Sequence, residues 1–146
     1  MEPDIRRMRS ADAEAVAGLC GQLGYPSTRD EIAHRWARLA GDPAHAVFVA
    51  VDDGRPVGWI HVAVRPLLEF DLSAEIWGLV VDEASRGAGV GLLLLNSAER
   101  WAAENGCRAV RVRSRIARAR AHAFYERHGY VKSKTQHVFE KPLGPG

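Results

Sequence analysis

The sequence predicts one α/β domain of the α+β kind, with a mixed, mainly antiparallel sheet and a single strand–helix–strand crossover. Three observations predict it. The chain has 146 residues, the size of one domain with no room for a second. Its 47% hydrophobic and 26% charged content is that of a globular protein. A chain of this length buries roughly 70% of its unfolded surface, enough for a core without disulfides or metals. Finally, segments of strand and helix period follow one another in the order β-α-α-β-β-β-α-β-α-β, with a further strand open at the end.

Ile5 to Arg9 reads as a short first strand. Ser10 is placed to cap a helix through Leu19, with Asp12 and Glu14 near its positive end. Gly21 to Pro26 breaks that helix. Ser27 or Thr28 caps a second one, with Asp30 and Glu31 in its first turn and Ile32, Trp36 and Leu39 on one face. Val47 to Val51 is a buried-type strand, Asp52-Asp53-Gly54-Arg55 a hairpin turn, and Val57 to Val64 the antiparallel return. Arg65 to Ser73 is a loop and Ala74 to Val81 a strand. A helix from about Val90 to Asn105 presents Val90, Leu94, Ala98, Trp101 and Ala102 on its apolar face, and Gly106 closes it in a left-handed conformation. Ala109 to Arg113 alternates, with Val110 and Val112 on one face and Arg111 and Arg113 on the other, solvated face. A short helix covers Arg118 to His128 and ends at Gly129. One or two strands are expected between Tyr130 and Lys141, and a frayed end from Pro142.

Twenty Lys and Arg against eighteen Asp and Glu leave a net charge of +2. That balance argues against a general nucleic-acid or membrane-surface protein. The basic segment Arg111, Arg113, Arg115, Arg118, Arg120 has no interleaved aromatic residues to stack bases. Cys20 and Cys107 fit no metal spacing and read as plain thiols. The histidines form no H-x-x-x-H or H-E-x-x-H pattern, so no metal is expected, and His61 is the one placed to reach a cleft from a strand. The first residues are polar, and no apolar run approaches the ~20 residues that span a bilayer, so a soluble cytoplasmic protein is expected.

The most informative stretch runs from Leu79, Val80 and Val81 through Asp82 to Arg86, Gly87, Ala88, Gly89, Val90, Gly91 and Leu92. A strand leads into a glycine-rich turn that opens a helix. Glycines let backbone come close to a ligand, and the first N–H groups of the helix, with its dipole, form an anion site. Arg86 adds a positive charge. No Gly-Lys-Ser or Gly-Lys-Thr is present for a P-loop, and G-x-G-x-x-G read from Gly87 ends on Leu92. The spacing that fits is R-x-x-G-x-G, on Arg86, Gly89 and Gly91. Three glycines alone are equally compatible with a softened loop that holds no ligand.

Arg86-Gly87-Ala88-Gly89-Val90-Gly91 resembles the acetyl-CoA motif of the GNAT superfamily of N-acetyltransferases. Ala121-His122-Ala123-Phe124-Tyr125-Glu126-Arg127-His128-Gly129-Tyr130 is similar to its A-x-x-F-Y-E-x-x-G-Y segment. The resemblance covers nearly the whole chain. It implies helices on both faces of the sheet and a bulge that splays a parallel strand pair to admit the cofactor. It implies that amides from Arg86 to Leu92 hold the CoA diphosphate and that backbone from Leu79 to Val81 pairs with pantetheine. The family's asparagine seven residues before the tyrosine is Arg118 here: either Arg118 takes over a phosphate contact or that contact is missing.

Moving an acetyl group from a thioester to an amine requires that the amine lose a proton, that the oxyanion meet a donor and that the departing thiolate gain a proton. The resemblance implies Tyr125 as the acid; core packing beside Phe124 is the alternative. Glu75, in the otherwise apolar Ala74 to Leu79, aligns with the catalytic glutamate of the histone-acetylating branch. It is the candidate base, acting directly or through a water, if it faces a wet cleft; a solvated strand end is the alternative. A backbone N–H near Val81 is the expected oxyanion donor. The fold implies an acceptor site between Gln22 to Arg29 and Arg65 to Ser73, where Glu69 and Asp71 beside Leu67, Leu68 and Phe70 suit a cationic amine. Trp77 could wall it. The pattern through Thr135 to Lys141 resembles small-molecule members, among them aminoglycoside 6′-N-acetyltransferases. A protein N-terminus or lysine as acceptor, or a non-catalytic acetyl-CoA-binding module, are the other readings. A homodimer through sheet edges or helices is compatible with the fold.

Overall fold

In the computed structural model, residues 2–114 and 118–144 are described. Arg115 lies outside them. The chain falls into two compact units, Met1–Arg113 and Ser114–Gly146.

The first unit contains β1 (Asp4–Arg7), α1 (Ala13–Leu23), α2 (Arg29–Leu39), β2 (His45–Asp52), β3 (Arg55–Arg65), β4 (Ser73–Val81), α3 (Val90–Glu104) and β5 (Val110–Val112). The strands lie side by side in chain order. Neighbours are antiparallel except β4 and β5, which are parallel and connected through α3. The β2–β3 hairpin turns on Asp53 and Gly54, both at positive φ (52° and 75°), the pair of left-handed residues that a primed turn needs.

Period-two alternation assigns the helices to opposite faces. Trp59 of β3 and Val47, Val49 and Val51 of β2 pack with Val16 and Cys20 of α1 and with Ile32 and Trp36 of α2. Gly58, one residue before Trp59, faces α3: a Cβ there would lie 3.1 Å from Leu94 and 3.4 Å from Val90. The apolar stripe expected on α3 is buried, together with Leu95.

The start of α1 differs from the expectation. Ser10 begins a single 3₁₀ turn, Ser10–Asp12, and the α-helix starts at Ala13. Asp12 stands at the N-cap position of α1 but makes no side-chain cap bond to the helix; its carboxylate instead reaches back, accepting from the Arg9 N–H at 2.8 Å and from both Arg6 guanidinium nitrogens at 2.8 and 3.0 Å. The Arg6 hydrogen bonds hold the Asp12 carboxyl below the usual range. The helix runs past Gly21 to Leu23 and stops at Gly24 (φ 96°). For α2, Thr28 is the cap, in a reciprocal capping box with Glu31.

The second unit carries α4 (Ala119–Arg127), closed by Gly129 at φ 92°. Phe124 stacks edge-on against Tyr125 and His128, and Tyr125 against Tyr130. The strands expected between Tyr130 and Lys141 do not form among the described residues. Val131, Val138 and Phe139 stand exposed. An alternating pattern supplies side chains for a strand but not the partner that its N–H and C=O groups require.

Candidate active site

The turn after β4 is braced from two sides. Asp82 donates its N–H to the Val57 carbonyl, and its carboxylate accepts from the Ala84 N–H. Gln22 of α1 accepts from the Glu83 N–H at 2.9 Å and donates to Asp82 at 3.3 Å. Gln22 and Asp82 were not singled out by the motif, which carries no signal for a brace from α1. Arg86 folds back, its Nε donating to the Val81 carbonyl at 3.3 Å. Gly87 and Gly89 sit at φ 86° and 82° with open space where a Cβ would be. Their requirement is thus conformational rather than a matter of packing.

Gly89 is the N-cap of α3 and offers no side-chain cap, and no acidic residue lies in the first turn. Leu93 is the first residue to donate back, to the Gly89 carbonyl. The N–H groups of Val90, Gly91 and Leu92 therefore precede the intrahelical ladder, where the dipole is positive. The first turn of α3 presents donors without an acidic residue of its own, the donor set a diphosphate requires, while Glu83 lies 3.9 Å from Arg86.

β4 has two different halves. From Ala74 to Ile76 it is paired on both sides, with Val64 to Val62 of β3 and with Val110 to Val112 of β5. Opposite the His61–Val62 step the register slips, so that Gly78 pairs His61 and Trp77 is the extra residue. From Trp77 to Val81 the strand keeps β3 and has no β5 partner among the described residues. A bulge is thus present on this strand, at Trp77, and beyond it the strand runs into the helix-opening turn.

Glu75 lies in the doubly paired half and is completely buried. It neither faces a wet cleft nor ends a strand in solvent, the two environments expected for it. The physical reason is charge: Arg65 Nη1 and Arg113 Nε each lie 3.4 Å from Glu75 Oε1, and two guanidiniums make a buried carboxylate tolerable. Neither carboxylate oxygen makes a hydrogen bond, nor does Arg65 Nη1. Arg113, expected on a solvated face, thus turns one edge to Glu75 while its side chain stays about half exposed. Arg65 and Arg113 escaped sequence reasoning. The one available signal was Glu75 itself, since a carboxylate in an apolar strand demands cations.

Around this region Trp77, Phe70, Leu68 and Tyr25 are exposed, and so is Glu69, whereas Asp71 lies 3.9 Å from Arg108. His61 pairs with His45 through a 2.9 Å ring-nitrogen contact. Burial, aided by His45, drives the His61 pKa down to about 4, so that it is neutral at pH 7. Cys20 and Cys107 are free thiols, the first in the core. No three metal-ligating side chains gather among the described residues.

In the second unit, burial pushes the Tyr125 phenol up to about 12, with the Arg118 charge opposing. Tyr125 therefore holds its proton throughout the physiological range.

Residues 10–130 match the model of the acetyltransferase (GNAT) family. The chain belongs to that family. It is 31% identical over 148 residues, covering 98% of this chain and 95% of the relative, to an aminoglycoside N(6′)-acetyltransferase type 1 of Stenotrophomonas maltophilia. It is 32% identical over 136 residues, 89% of this chain and 86% of the relative, to an aminoalkylphosphonate N-acetyltransferase of Salmonella typhimurium. In fold it superposes on an aminoglycoside N-acetyltransferase in complex with CoA at a TM-score of 0.86, with 21% identity over 97% of this chain and 95% of that one.

This GNAT protein is an acyltransferase whose acetyl donor is acetyl-CoA. The left-handed glycines and the uncapped start of α3 fit that donor. Among the described residues, no helix is long and apolar enough to cross a membrane.

Proposed function

We propose that this GNAT enzyme transfers the acetyl group of acetyl-CoA to a primary amine of a small molecule, by direct attack while both are bound. The observation that carries the reading is the donor-rich, uncapped start of α3 that follows β4. The relatives named for small amines support the acceptor class.

Amides of Arg86, Gly87, Ala88, Gly89, Val90, Gly91 and Leu92 bind the diphosphate, and Arg118 adds a phosphate contact. Backbone groups of Leu79, Val80 and Val81 align the pantetheine arm. Bound acetyl-CoA supplies a thioester carbonyl open to attack. A backbone N–H near Val81 steadies the charge that grows on the carbonyl oxygen. Through a water admitted past the half-exposed Arg113, the buried Glu75 takes the proton that the attacking ammonium must lose. Tyr125 gives a proton to the departing sulfur, and its raised pKa keeps that proton available. Neither cysteine lies on β4 or in the turn, which favours direct attack over an acyl-enzyme. One acetyltransferase domain across the chain, a cytoplasmic site of action and a homodimer belong to the same proposal; sedimentation equilibrium checks the last.

Free-thiol release from acetyl-CoA across an amine panel tests the function. Tyr125→Phe is expected to lower kcat by about 100-fold with acetyl-CoA binding, followed by calorimetry, changed by less than about threefold. An unchanged kcat, with chemistry shown to limit turnover, would remove the acid role.

A further inference from the structure

We infer that Gln22 of α1 is a positioning residue of the donor site. Its side-chain amide ties the turn after β4 to α1 and holds the Asp82 carboxylate in place, so that the amides that follow stand ready for the diphosphate of acetyl-CoA. The inference rests on the acetyltransferase reading and adds to it a residue 60 positions before Asp82 in the chain, outside the glycine motif.

The turn opens on two carboxylates, Asp82 and Glu83, just ahead of a segment that has to receive an anion. Like charges repel, so both need to be occupied. Glu83 lies 3.9 Å from Arg86. Asp82 is held more closely. Its Oδ1 accepts from the Ala84 N–H and from Gln22 Nε2, each at 3.3 Å, and its Oδ2 lies 3.9 Å from Arg55 Nη2. Gln22 completes the arrangement by accepting the Glu83 N–H on Oε1 at 2.9 Å. The partners differ in stiffness. Ala84 belongs to the turn itself, and Arg55 is mostly exposed, where an ion pair is weak. Gln22 comes from the last turn of a helix anchored in the core by Val16, Leu19 and Cys20.

The contact requires an amide. One planar group has to accept from an N–H and donate to a carboxylate at the same time, which a glutamine does and a glutamate does not. A glutamate there accepts the Glu83 N–H but sets a second negative charge against Asp82. An alanine leaves both groups to water. The brace also acts at the right end of the turn. Ser85 donates its N–H to the Asp82 carbonyl at 2.9 Å, so fixing Asp82 fixes the path of the chain into Arg86. A loop held in its binding shape loses less freedom when the ligand arrives, and the saving appears as donor affinity.

The test follows acetyl-CoA binding by calorimetry and turnover by thiol release, on the full-length chain. Gln22→Ala is expected to weaken acetyl-CoA binding about threefold and Gln22→Glu about tenfold, each as a rise in donor KM, with kcat and the acceptor KM at saturating donor within about twofold of wild type. Adding Asp82→Asn to Gln22→Glu exchanges amide and carboxylate across the same contact, and is expected to bring binding back to within about threefold of wild type. That rescue separates positioning from a general loss of structure, which a second substitution deepens. The inference is overturned, and the acetyltransferase left standing, by a Gln22→Glu chain that binds acetyl-CoA as tightly as wild type. A double variant that binds no tighter than Gln22→Glu, or a loss confined to kcat or to the acceptor KM, overturns it in the same way. A wild-type chain that binds no acetyl-CoA overturns both.

Discussion

The two halves of β4 are built from similar residues and meet opposite fates. Ala74 to Ile76 is clasped between β3 and β5 and buries every side chain, Glu75 included. Among the described residues, Gly78 to Val81 pairs with β3, and Trp77 bulges out half exposed. The difference is not one of strand propensity. One extra residue at Trp77 sets them apart, because a bulge bends and twists the strand that carries it. The clasped half supplies rigidity and charge, and the open half supplies unpaired backbone. Function needs the junction between them.

The sharpest way to break the clasped half is Glu75→Ala. It leaves Arg65, only 15% exposed, beside Arg113 with no counter-charge. A loss of about 3–5 kcal/mol is expected, read from urea denaturation midpoints. Loss below about 1 kcal/mol would show that the ion cluster does not hold this end of the sheet.

The open half is probed by Gly78→Val. A Cβ at Gly78 would lie 2.6 Å from the Trp59 ring, and that ring belongs to the packed cluster under α1 and α2. Overpacking there is expected to cost about 1–3 kcal/mol. A thermal melt indistinguishable from wild type would mean that the ring moves aside freely.

The most gradual effect is on pH. His61, opposite Gly78 at the bulge, has its folded pKa lowered from 6.5 to about 4. Between those values the unfolded chain binds a proton that the folded one refuses, so stability falls as pH drops from about 6.5 toward 4 and this contribution levels off below. The slope is at most about 1.4 kcal/mol per pH unit. His61→Gln should flatten that window while leaving the later acid loss tied to Asp12, whose depressed pKa acts at lower pH. An unchanged slope in the variant would assign the titration elsewhere.

Much of this was legible. The apolar run into Val81, the glycines at positions 87, 89 and 91, and the stripe on α3 are local patterns, and local patterns follow from chain geometry. The donor-rich turn could be read because its parts are contiguous. The environment of Glu75 could not. Its partners come from the ends of two other strands, and a strand of arginine and valine looks the same whether its arginines face water or a buried carboxylate. The tail failed for a related reason: Val138 and Phe139 have strand-like spacing, but pairing is a property of two segments.

The sequence alone determined the order of elements, the helix that begins at Val90 and the donor-rich turn before it, because each depends on residues close in the chain. Tertiary structure decided that β4 bulges at Trp77, that Glu75 lies buried between Arg65 and Arg113, and that Gln22 braces the turn. Those outcomes depend on register and on burial of charge, and neither exists until distant segments meet.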